Sequence, residues 1–208
     1  MQIEIEVVAA DDPQAIERAR SALSKGELVA IPTDTVYGLA ANVWDGRAVS
    51  QLYAVKGRDE IKAVPVLLAG WHSIQEVADE TSDRVRRLAD RFWPGPLTLV
   101  VRRLSTVPTE VSSGDSIGVR VPNQPFALKL LTAAGPLAVT SANLSGRPST
   151  RTAQAVLEEL AGRIALVIDG GETPGGVPST VLDCTVNPPK LLREGPISLR
   201  EILEAMQA

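Results

Sequence analysis

Short apolar segments alternating with amphipathic ones are the feature that most constrains the fold of this chain. The apolar runs are rich in β-branched side chains and end at polar or Gly-containing loops. Such runs predict buried strands, and the longer segments between them have the spacing of helices. The predicted strands are the opening alternation around Ile5 and Val7 and residues 28–32, 64–69, 97–102, 117–121, 137–140, 165–168, 180–184 and 190–193. The predicted helices are residues 15–26, 45–55, 73–78, 82–92, 123–131, 153–160 and 198–206.

The order of these segments predicts an α/β domain in which helices flank a mixed sheet. Strands separated by helices are typical of layered α/β folds. Other strands, such as 180–184 and 190–193, follow one another through short connections, so a mixed sheet is favoured over a purely parallel one. Residues 33–38 are predicted to be a polar loop. No repeat or linker divides the chain, and residues 1–208 are therefore interpreted as a single domain.

Composition indicates a well-packed globular protein and argues against one class of function. Hydrophobic residues make up 44% of the chain and charged residues 22%, which excludes a largely disordered chain. Aromatic residues supply 3%, so the core must consist mainly of Val, Leu, Ile and Ala. The formal net charge of −4 disfavours a non-specific nucleic-acid binder, whose surface is usually basic.

The single cysteine and the single histidine narrow the chemistry further. Cys184 cannot form an internal disulfide, which fits a reducing compartment. With no signal-peptide pattern and no apolar stretch near the ~18 residues of a membrane span, we expect a cytoplasmic protein without membrane contact. One histidine, His72, cannot build a multi-histidine metal site, and a Ser-His-Asp mechanism would have to use it. We expect His72 to be a surface or capping residue and predict no metal site.

Four polar segments directly follow apolar strands, and two further segments supply cations. The segments are PTDTVYG, SANLSGRPS, GVPST and REG, with KGR at a helix end and GVR on a strand. Ligands of open α/β sheets bind at strand ends, where loops present polar groups over a rigid scaffold. Hydroxyl groups together with Lys56, Arg58, Arg120 and Arg193 suit a polyanion such as a phosphate ester.

Each of these segments alone also has a structural explanation, as a helix cap or a simple turn. Their shared position at strand ends favours a common site instead. Nucleophilic hydrolysis is disfavoured because Ser141 is not in a Gly-x-Ser-x-Gly elbow. No Walker A loop and no Gly-x-Gly-x-x-Gly after a strand is present, so a bound nucleotide would use none of the common motifs.

At these residues the chain resembles the YrdC-like threonylcarbamoyl-AMP synthase family, in the short form without an extra C-terminal domain. The matching motifs are PTDTVYGL, KGR, IGVRVP, TSANLSGRPS, PSTVLD and LLREG, which occur in family order over nearly the whole chain. The resemblance implies a twisted mixed sheet with a central, positively charged cavity. It also implies a nucleotidyltransferase that converts ATP, L-threonine and bicarbonate into threonylcarbamoyl-AMP and pyrophosphate.

The resemblance also implies roles for individual residues. Lys56 and Arg58 are expected to be catalytic. The expected ATP-binding residues are Lys56, Arg58, Lys62, Ser116, Ser141, Asn143, Ser149 and Arg193. The expected threonine-binding residues are Thr35, Tyr37, Arg120, Thr140 and Ser179, with Arg120 pairing to the carboxylate. Leu67 stands where some members carry a histidine that touches threonine, so that contact is expected to be absent or apolar.

The same resemblance leads to expectations about cofactors and partners. Mg²⁺ is expected to arrive bound to ATP, because no carboxylate cluster suggests a dedicated metal cage. The general base is left open between a second substrate group, water and Asp34. The product is expected to pass to downstream tRNA-modifying threonylcarbamoyltransferase proteins, and weak RNA binding is left open. The alternatives are an RNA-binding module of the same fold, a carbamoyl-transfer domain and an inactive paralogue.

Overall fold

Within the described residues of the computed structural model, 5–57, 63–79 and 82–207, one mixed sheet of ten strands runs through the molecule. The strands are β1 (Glu6–Ala9), β2 (Val29–Ile31), β3 (Gly38–Asn42), β4 (Val66–Leu67), β5 (Leu97–Arg102), β6 (Ser116–Arg120), β7 (Leu137–Ser141), β8 (Leu166–Asp169), β9 (Thr180–Asp183) and β10 (Lys190–Arg193). Their order across the sheet is β1-β8-β2-β3-β7-β4-β6-β5-β9-β10. The sheet contains parallel pairs, such as β5 with β9, and antiparallel pairs, such as β5 with β6, which confirms the predicted mixed sheet.

Seven α-helices accompany the sheet in the described part of the chain. They are α1 (Ala15–Ser24), α2 (Gly46–Val55), α3 (Ile74–Val77), α4 (Asp83–Phe92), α5 (Pro125–Ala134), α6 (Ala153–Leu160) and α7 (Leu199–Gln207), with a 3₁₀ turn at Trp71–Ser73. Several begin at residues that cap them: the side chain of Asp45 accepts from the backbone N–H groups of Arg47 and Ala48, for example. None of the helices in the described ranges is long and apolar enough to cross a membrane.

Alternate residues of the central strands point into two separate apolar clusters, one on each face of the sheet. On β2, Ala30 belongs to one cluster, whereas Val29 and Ile31 belong to the other. The larger cluster packs the sheet against α2, α3, α4 and α6. The smaller one packs it against α1 and α5, whose buried residues include Ala19 and Leu130. Period-two alternation on the strands thus produces a three-layer arrangement.

Helices α1 and α5 cover part of their face of the sheet. Their cluster takes side chains from β1, β2, β3, β7 and β8, and from Leu67 on β4. The residues of β5, β6 and β9 on this same face, including Thr98, Gly118 and Arg120, line an open cavity instead. The predicted polar segments surround this uncovered region of the sheet.

Two details of the strand prediction were wrong. Residues 38–42 were not predicted as a strand, yet they form β3, which pairs with β2 and β7 in the middle of the sheet. Its sequence, GLAAN, has low strand propensity, and burial between two neighbouring strands overrides that preference. The alternation around Ile5 and Val7 favours burial of Val7, yet in β1 Val8 joins the smaller cluster and Val7, on the opposite face, is exposed.

Shortening Leu99 to Ala should lower the free energy of unfolding by about 2–5 kcal/mol, because its fully buried side chain fills the larger cluster from β5. Leu192→Ala is the matched control, since this strand leucine is 52% exposed, and it should change stability by less than ~0.5 kcal/mol. Urea unfolding of both variants measures the difference. Equal losses would contradict the assignment of β5 to the core.

Candidate functional site

The open region over β5, β6 and β9 is a cavity of about 400 Å³, within the range of small-molecule sites. Its floor consists of short side chains from the strands, and its walls come from the loops that sequence analysis singled out. The described lining residues are Thr33, Thr35, Val36, Gly38, Ala63, Pro65, Leu67, Thr98, Val100, Gly118, Arg120, Val139, Thr140, Ser141, Pro178, Ser179, Val181, Leu192 and Arg193. Segments far apart in sequence therefore meet in one hollow.

The loop between β2 and β3 is organised around the hydroxyl group of Thr33. This hydroxyl donates to the carbonyl of Val36 at 2.6 Å and accepts from the backbone N–H of Thr35 at 3.1 Å. Such a side-chain turn replaces backbone hydrogen bonds that the chain leaves behind when β2 ends. The turn holds Thr35 at the cavity wall. The hydroxyl oxygens of Thr33 and Thr35 are 3.1 Å apart.

Arg120, at the end of β6, is the most deeply buried cation of the described lining. It is 6% exposed, and its guanidinium donates to the carbonyl of Gly95 at 2.9 Å, to Thr35 Oγ1 at 3.2 Å and to Asp34 Oδ1 at 2.6 Å. Burial lowers the pKa of Arg120 from its usual value, and the carboxylate of Asp34 acts in the opposite direction. Because a buried charge requires such partners, this network keeps a positive charge at the cavity floor.

Arg193 reaches the cavity from β10, at the edge of the sheet. Its Nε donates to the carbonyl of Ser179 at 2.9 Å, and its Nη2 donates to Ser179 Oγ at 3.1 Å. The pairing of β10 with β9 is irregular between Leu191 and Arg193, which inserts Leu192 as an extra residue. Consecutive side chains of a regular strand point to opposite faces, whereas this bulge allows Leu192 and Arg193 both to line the cavity.

Gly195 allows the REG segment to lie directly against the start of β9. A Cβ atom on Gly195 would lie 2.3 Å from the backbone nitrogen of Thr180 and 2.7 Å from the carbonyl oxygen of Pro178. These contacts are with backbone, which cannot move aside at low cost. The glycine therefore fixes the approach of the segment that carries Arg193 to the segment that carries Ser179.

Lys56 lies beneath the SANLSG loop and is 3% exposed. Its ammonium group donates to the carbonyl of Ser141, and it lies 2.5 Å from the carbonyl oxygen of Asn143 and 3.5 Å from Ser141 Oγ. The backbone N–H of Ser145 returns a hydrogen bond to the carbonyl of Lys56. The structure thus places Lys56 against Ser141, outside the described lining of the cavity, and gives the ammonium a role in shaping the loop. Its expected contact with ATP stays a prediction.

The side chain of Asn143 is held inside the same loop. Its Nδ2 donates to the carbonyls of Leu144 and Arg147, both at 2.8 Å. Its Oδ1 is buried and accepts no hydrogen bond from the described residues. The loop therefore contains an acceptor that no described side chain or backbone group uses.

The structure does not bring every expected site residue to the cavity. Tyr37 is fully buried in the larger apolar cluster, and its hydroxyl donates to the carbonyl of Gly171 at 2.8 Å. Ser116 lies at the outer end of β6, two residues before Gly118. Lys56, Asn143 and Ser149 also lie outside the described lining. Arg58 and Lys62 lie outside the described residues, so their expected roles stay predictions.

Other expected residues do line the cavity, and two further contributors were not identified from sequence. Thr140 and Leu67 are lining residues, and Leu67 gives the wall an apolar surface where some family members carry a histidine. Thr98 was missed because a threonine in an apolar strand has the signature of an ordinary β-strand residue. The carbonyl of Gly95 was missed because sequence carries no signal for a backbone acceptor.

The Gly-rich loop after β8 packs on the back of the site. The backbone N–H of Gly176 donates to the carbonyl of Thr35 at 2.7 Å. A Cβ on Gly175 would lie 2.8 Å from the carbonyl oxygen of Asp34, so the two loops are in close backbone contact. The 170–176 loop therefore supports the loop that carries Asp34 and Thr35.

Two other kinds of site are alternatives to this cavity, a metal site and a second surface depression. Among the described residues, no group of three His, Cys, Asp or Glu side chains is arranged to hold a metal ion. A depression of about 530 Å³ lies between α4 and α7, where charged side chains such as Arg87 and Glu204 surround it. None of the segments singled out from sequence contributes to it, so we assign the site to the cavity on the sheet.

Comparison with known proteins gives the family. A sequence model of the Sua5/YciO/YrdC family, described as "Telomere recombination", matches residues 21–195. The chain belongs to this family. The threonylcarbamoyl-AMP synthase of Pyrococcus abyssi is 44% identical over 189 residues, covering 90% of this chain and 56% of that protein. A Mycobacterium tuberculosis protein named putative threonylcarbamoyl-AMP synthase is 38% identical, covering 93% of this chain and 89% of the relative.

Solved structures of family members share the fold. P. abyssi Sua5 in complex with L-threonine matches with a TM-score of 0.92 at 41% identity, covering 97% of this chain and 60% of that one. Escherichia coli YciO matches with a TM-score of 0.84 at 25% identity, covering 96% and 99%. The chain thus spans less than two thirds of the P. abyssi relative and nearly all of YciO. The two TM-scores confirm the predicted YrdC-like fold.

Replacing Asp34 by Ala should lower the free energy of unfolding by about 3–5 kcal/mol, because it leaves the buried charge of Arg120 without its counter-ion. Glu172→Ala removes the partner of Arg151 in an exposed pair, and its effect should stay below ~1 kcal/mol. Chemical denaturation of both variants at neutral pH measures the contrast. A loss for Asp34→Ala no larger than that for Glu172→Ala would show that the buried pair is not required.

Proposed function

We propose that this protein is an L-threonylcarbamoyladenylate synthase, a nucleotidyltransferase that uses ATP, L-threonine and bicarbonate. The proposal is supported by family membership, by the names of the two relatives above and by L-threonine in a matching structure. The observation that carries it is the buried guanidinium of Arg120 in a hydroxyl-lined cavity that a second cation, Arg193, also lines.

Arg120 is suited to bind the carboxylate of the amino acid. A guanidinium has five N–H donors, and three hydrogen bonds, to Gly95, Thr35 and Asp34, engage three of them. The two that remain can form a bidentate pair with a carboxylate. Thr35 and Ser179 add hydroxyl groups to the same lining, which suits a substrate bearing its own hydroxyl.

Other polar groups of the site are suited to bind the triphosphate. Arg193 and Ser141 line the cavity with a cation and a hydroxyl, and Lys56 adds positive charge beside Ser141. We propose that Arg58 and Lys62 add further cations to the site, as the family resemblance implies. Mg²⁺ is proposed to arrive with ATP, because the carboxylate of Asp34 is already paired with Arg120.

The proposed chemistry is attack of a carbamate on a phosphorus atom. The threonine amine combines with bicarbonate to give a carbamate and water, and a carbamate oxygen then attacks the α-phosphorus of ATP. The bond to the β,γ-phosphates breaks, and pyrophosphate leaves with the electron pair. Both reactants are anionic, so fixed cations such as Arg193 offset their repulsion, and a shared cavity holds them together.

The product is proposed to serve modification of tRNA in the cytoplasm. A mixed anhydride of a carbamate and AMP is an activated acyl donor, so a transferase must consume it, here proposed to be the tRNA-modifying threonylcarbamoyltransferase proteins. The reduced, buried thiol of Cys184 is compatible with a reducing compartment. The net charge of −4 does not favour RNA binding as the main function.

Mass spectrometry of the reaction mixture tests the proposed function directly. ATP, L-threonine and bicarbonate together should yield threonylcarbamoyl-AMP and pyrophosphate, and omission of any one should abolish both products. Pyrophosphate release that does not require threonine would favour a carbamoyl-AMP reaction. RNA retardation in a gel without any adenylate formation would favour the RNA-binding alternative.

Arg120→Lys should raise KM for threonine at least ~10-fold, because an ammonium keeps the charge but loses the bidentate fork. The KM for ATP should change much less. Arg86→Lys is the matched control, since Arg86 pairs with Asp90 on the exposed surface of α4 and should retain wild-type kinetics. Steady-state pyrophosphate release measures both, and an unchanged KM for threonine in Arg120→Lys would refute the assignment.

A further inference from the structure

Two side-chain hydroxyl groups meet on the floor of the cavity. Thr98 Oγ1, on β5, lies 2.8 Å from Ser179 Oγ, which directly precedes β9. The two residues are 1% and 4% exposed, and both belong to the cavity lining. Sequence resemblance assigns Ser179 to threonine binding but assigns no role to Thr98.

The hydrogen bonds of Ser179 restrict what its hydroxyl can do. A hydroxyl group has one donor and two acceptor lone pairs. Arg193 Nη2 donates to Ser179 Oγ and uses one lone pair. Ser179 then has one lone pair and one O–H left. Thr98 uses one of the two, and the other is available to a ligand in the cavity.

This pair has two possible hydrogen-bond directions. If Thr98 donates to Ser179, the O–H of Ser179 remains available for an acceptor in the cavity. If Ser179 donates to Thr98, its O–H is consumed, and Ser179 offers the ligand a lone pair. A carboxylate oxygen placed against Ser179 selects the first direction, because an anionic oxygen is stabilised by a donor and repelled by a lone pair.

Packing fixes the position of the Thr98 hydroxyl, and the ligand then selects the direction of the hydrogen bond. A Cβ atom at Gly118, on the neighbouring strand β6, would lie 3.0 Å from Thr98 Cγ2, so the methyl group occupies the space above the glycine. The hydroxyl is thereby turned toward Ser179. Strands β5 and β9 are in parallel register with Thr98 opposite Val181, and the backbone N–H of Thr180 donates to the carbonyl of Pro96 at 2.9 Å.

We propose that Thr98 is a positioning residue whose hydroxyl donates to Ser179 and thereby directs the O–H of Ser179 at a carboxylate oxygen of the bound amino acid. The inference rests on the proposed function and adds a residue that fixes the hydrogen-bond direction within that site. Thr98 acts through Ser179, so its effect must disappear when Ser179 has no hydroxyl.

The test uses Thr98→Val, which keeps the shape and the methyl group and removes the hydroxyl. KM for threonine should rise about 5–10-fold, the loss expected for one hydrogen bond, while kcat and KM for ATP stay within about twofold. Thr98→Ser restores the hydroxyl and should keep KM within about twofold of wild type. Thr98→Ala also lacks the hydroxyl and provides the same comparison if the valine variant folds poorly.

A double-mutant cycle separates positioning from a purely structural role. In the Ser179→Ala background, Thr98→Val should cause no further rise in KM for threonine. Additive effects, a serine variant as impaired as the valine variant, or a valine variant with wild-type KM would each overturn the proposal.

Calorimetric titration with L-threonine distinguishes failure of this proposal from failure of the proposed function. A wild-type protein that neither binds threonine nor forms the adenylate overturns both. A wild-type protein that does both, beside a Thr98→Val variant with equal threonine affinity, overturns the role of Thr98 alone.

Discussion

The buried guanidinium of Arg120 is the interaction on which the rest of the site depends. A charge on a sheet face, away from bulk water, is tolerated where protein groups replace its hydration. The acceptors come from Asp34 and Thr35 in the loop before β3 and from the backbone of Gly95 in the turn before β5. Satisfying one side chain therefore joins two loops that sequence places about sixty residues apart, and the joined loops form a wall of the cavity.

The cavity exists because helices cover one face of the sheet incompletely and because the exposed floor is built from small residues. Helices α1 and α5 pack over the β1 side of this face, and no described helix contributes to the lining on the β5–β9 side. Gly38 and Gly118 lie in this floor, and a Cβ at Gly38 would lie 2.5 Å from Val139 Cγ1. Larger side chains at these glycines would displace the strands or fill the space that a ligand needs.

Sequence predicted the fold class and the loops that surround the cavity because both depend on local patterns. Apolar periodicity identified the helices and most strands, and the strand-end position of PTDT, SANLSG and PST identified the loops that the structure brings together. The strand β3 escaped prediction because its pairing partners, not its own residues, make it a strand. Tyr37 was predicted to bind threonine because the PTDTVYG segment forms part of the cavity wall. Its side chain instead points to the other face of the sheet, into the apolar cluster that contains Leu39 and Ala41.

The features that sequence could not indicate are those in which one residue acts through another. The bulge at Leu192, which turns Arg193 toward the cavity, depends on the register between β9 and β10. The hydroxyl of Thr98 acquires significance from Ser179, which is 81 positions away. Neither relation leaves a spacing that a linear pattern can detect, whereas each is fixed by hydrogen bonds between strands once the sheet forms.

A cavity lined by cations in a protein of net charge −4 also discriminates between two kinds of anionic ligand. An extended polyanion such as an RNA backbone contacts the outer surface, where acidic residues outnumber basic ones over the chain as a whole and repel it. A small anion can enter the cavity and meet Arg193 and the buried Arg120 at short range, and little water screens the charge of Arg120. Because these guanidinium groups are already held by protein acceptors, they need little reorganisation when a reactant arrives, which is the condition under which fixed charges stabilise a transition state most effectively.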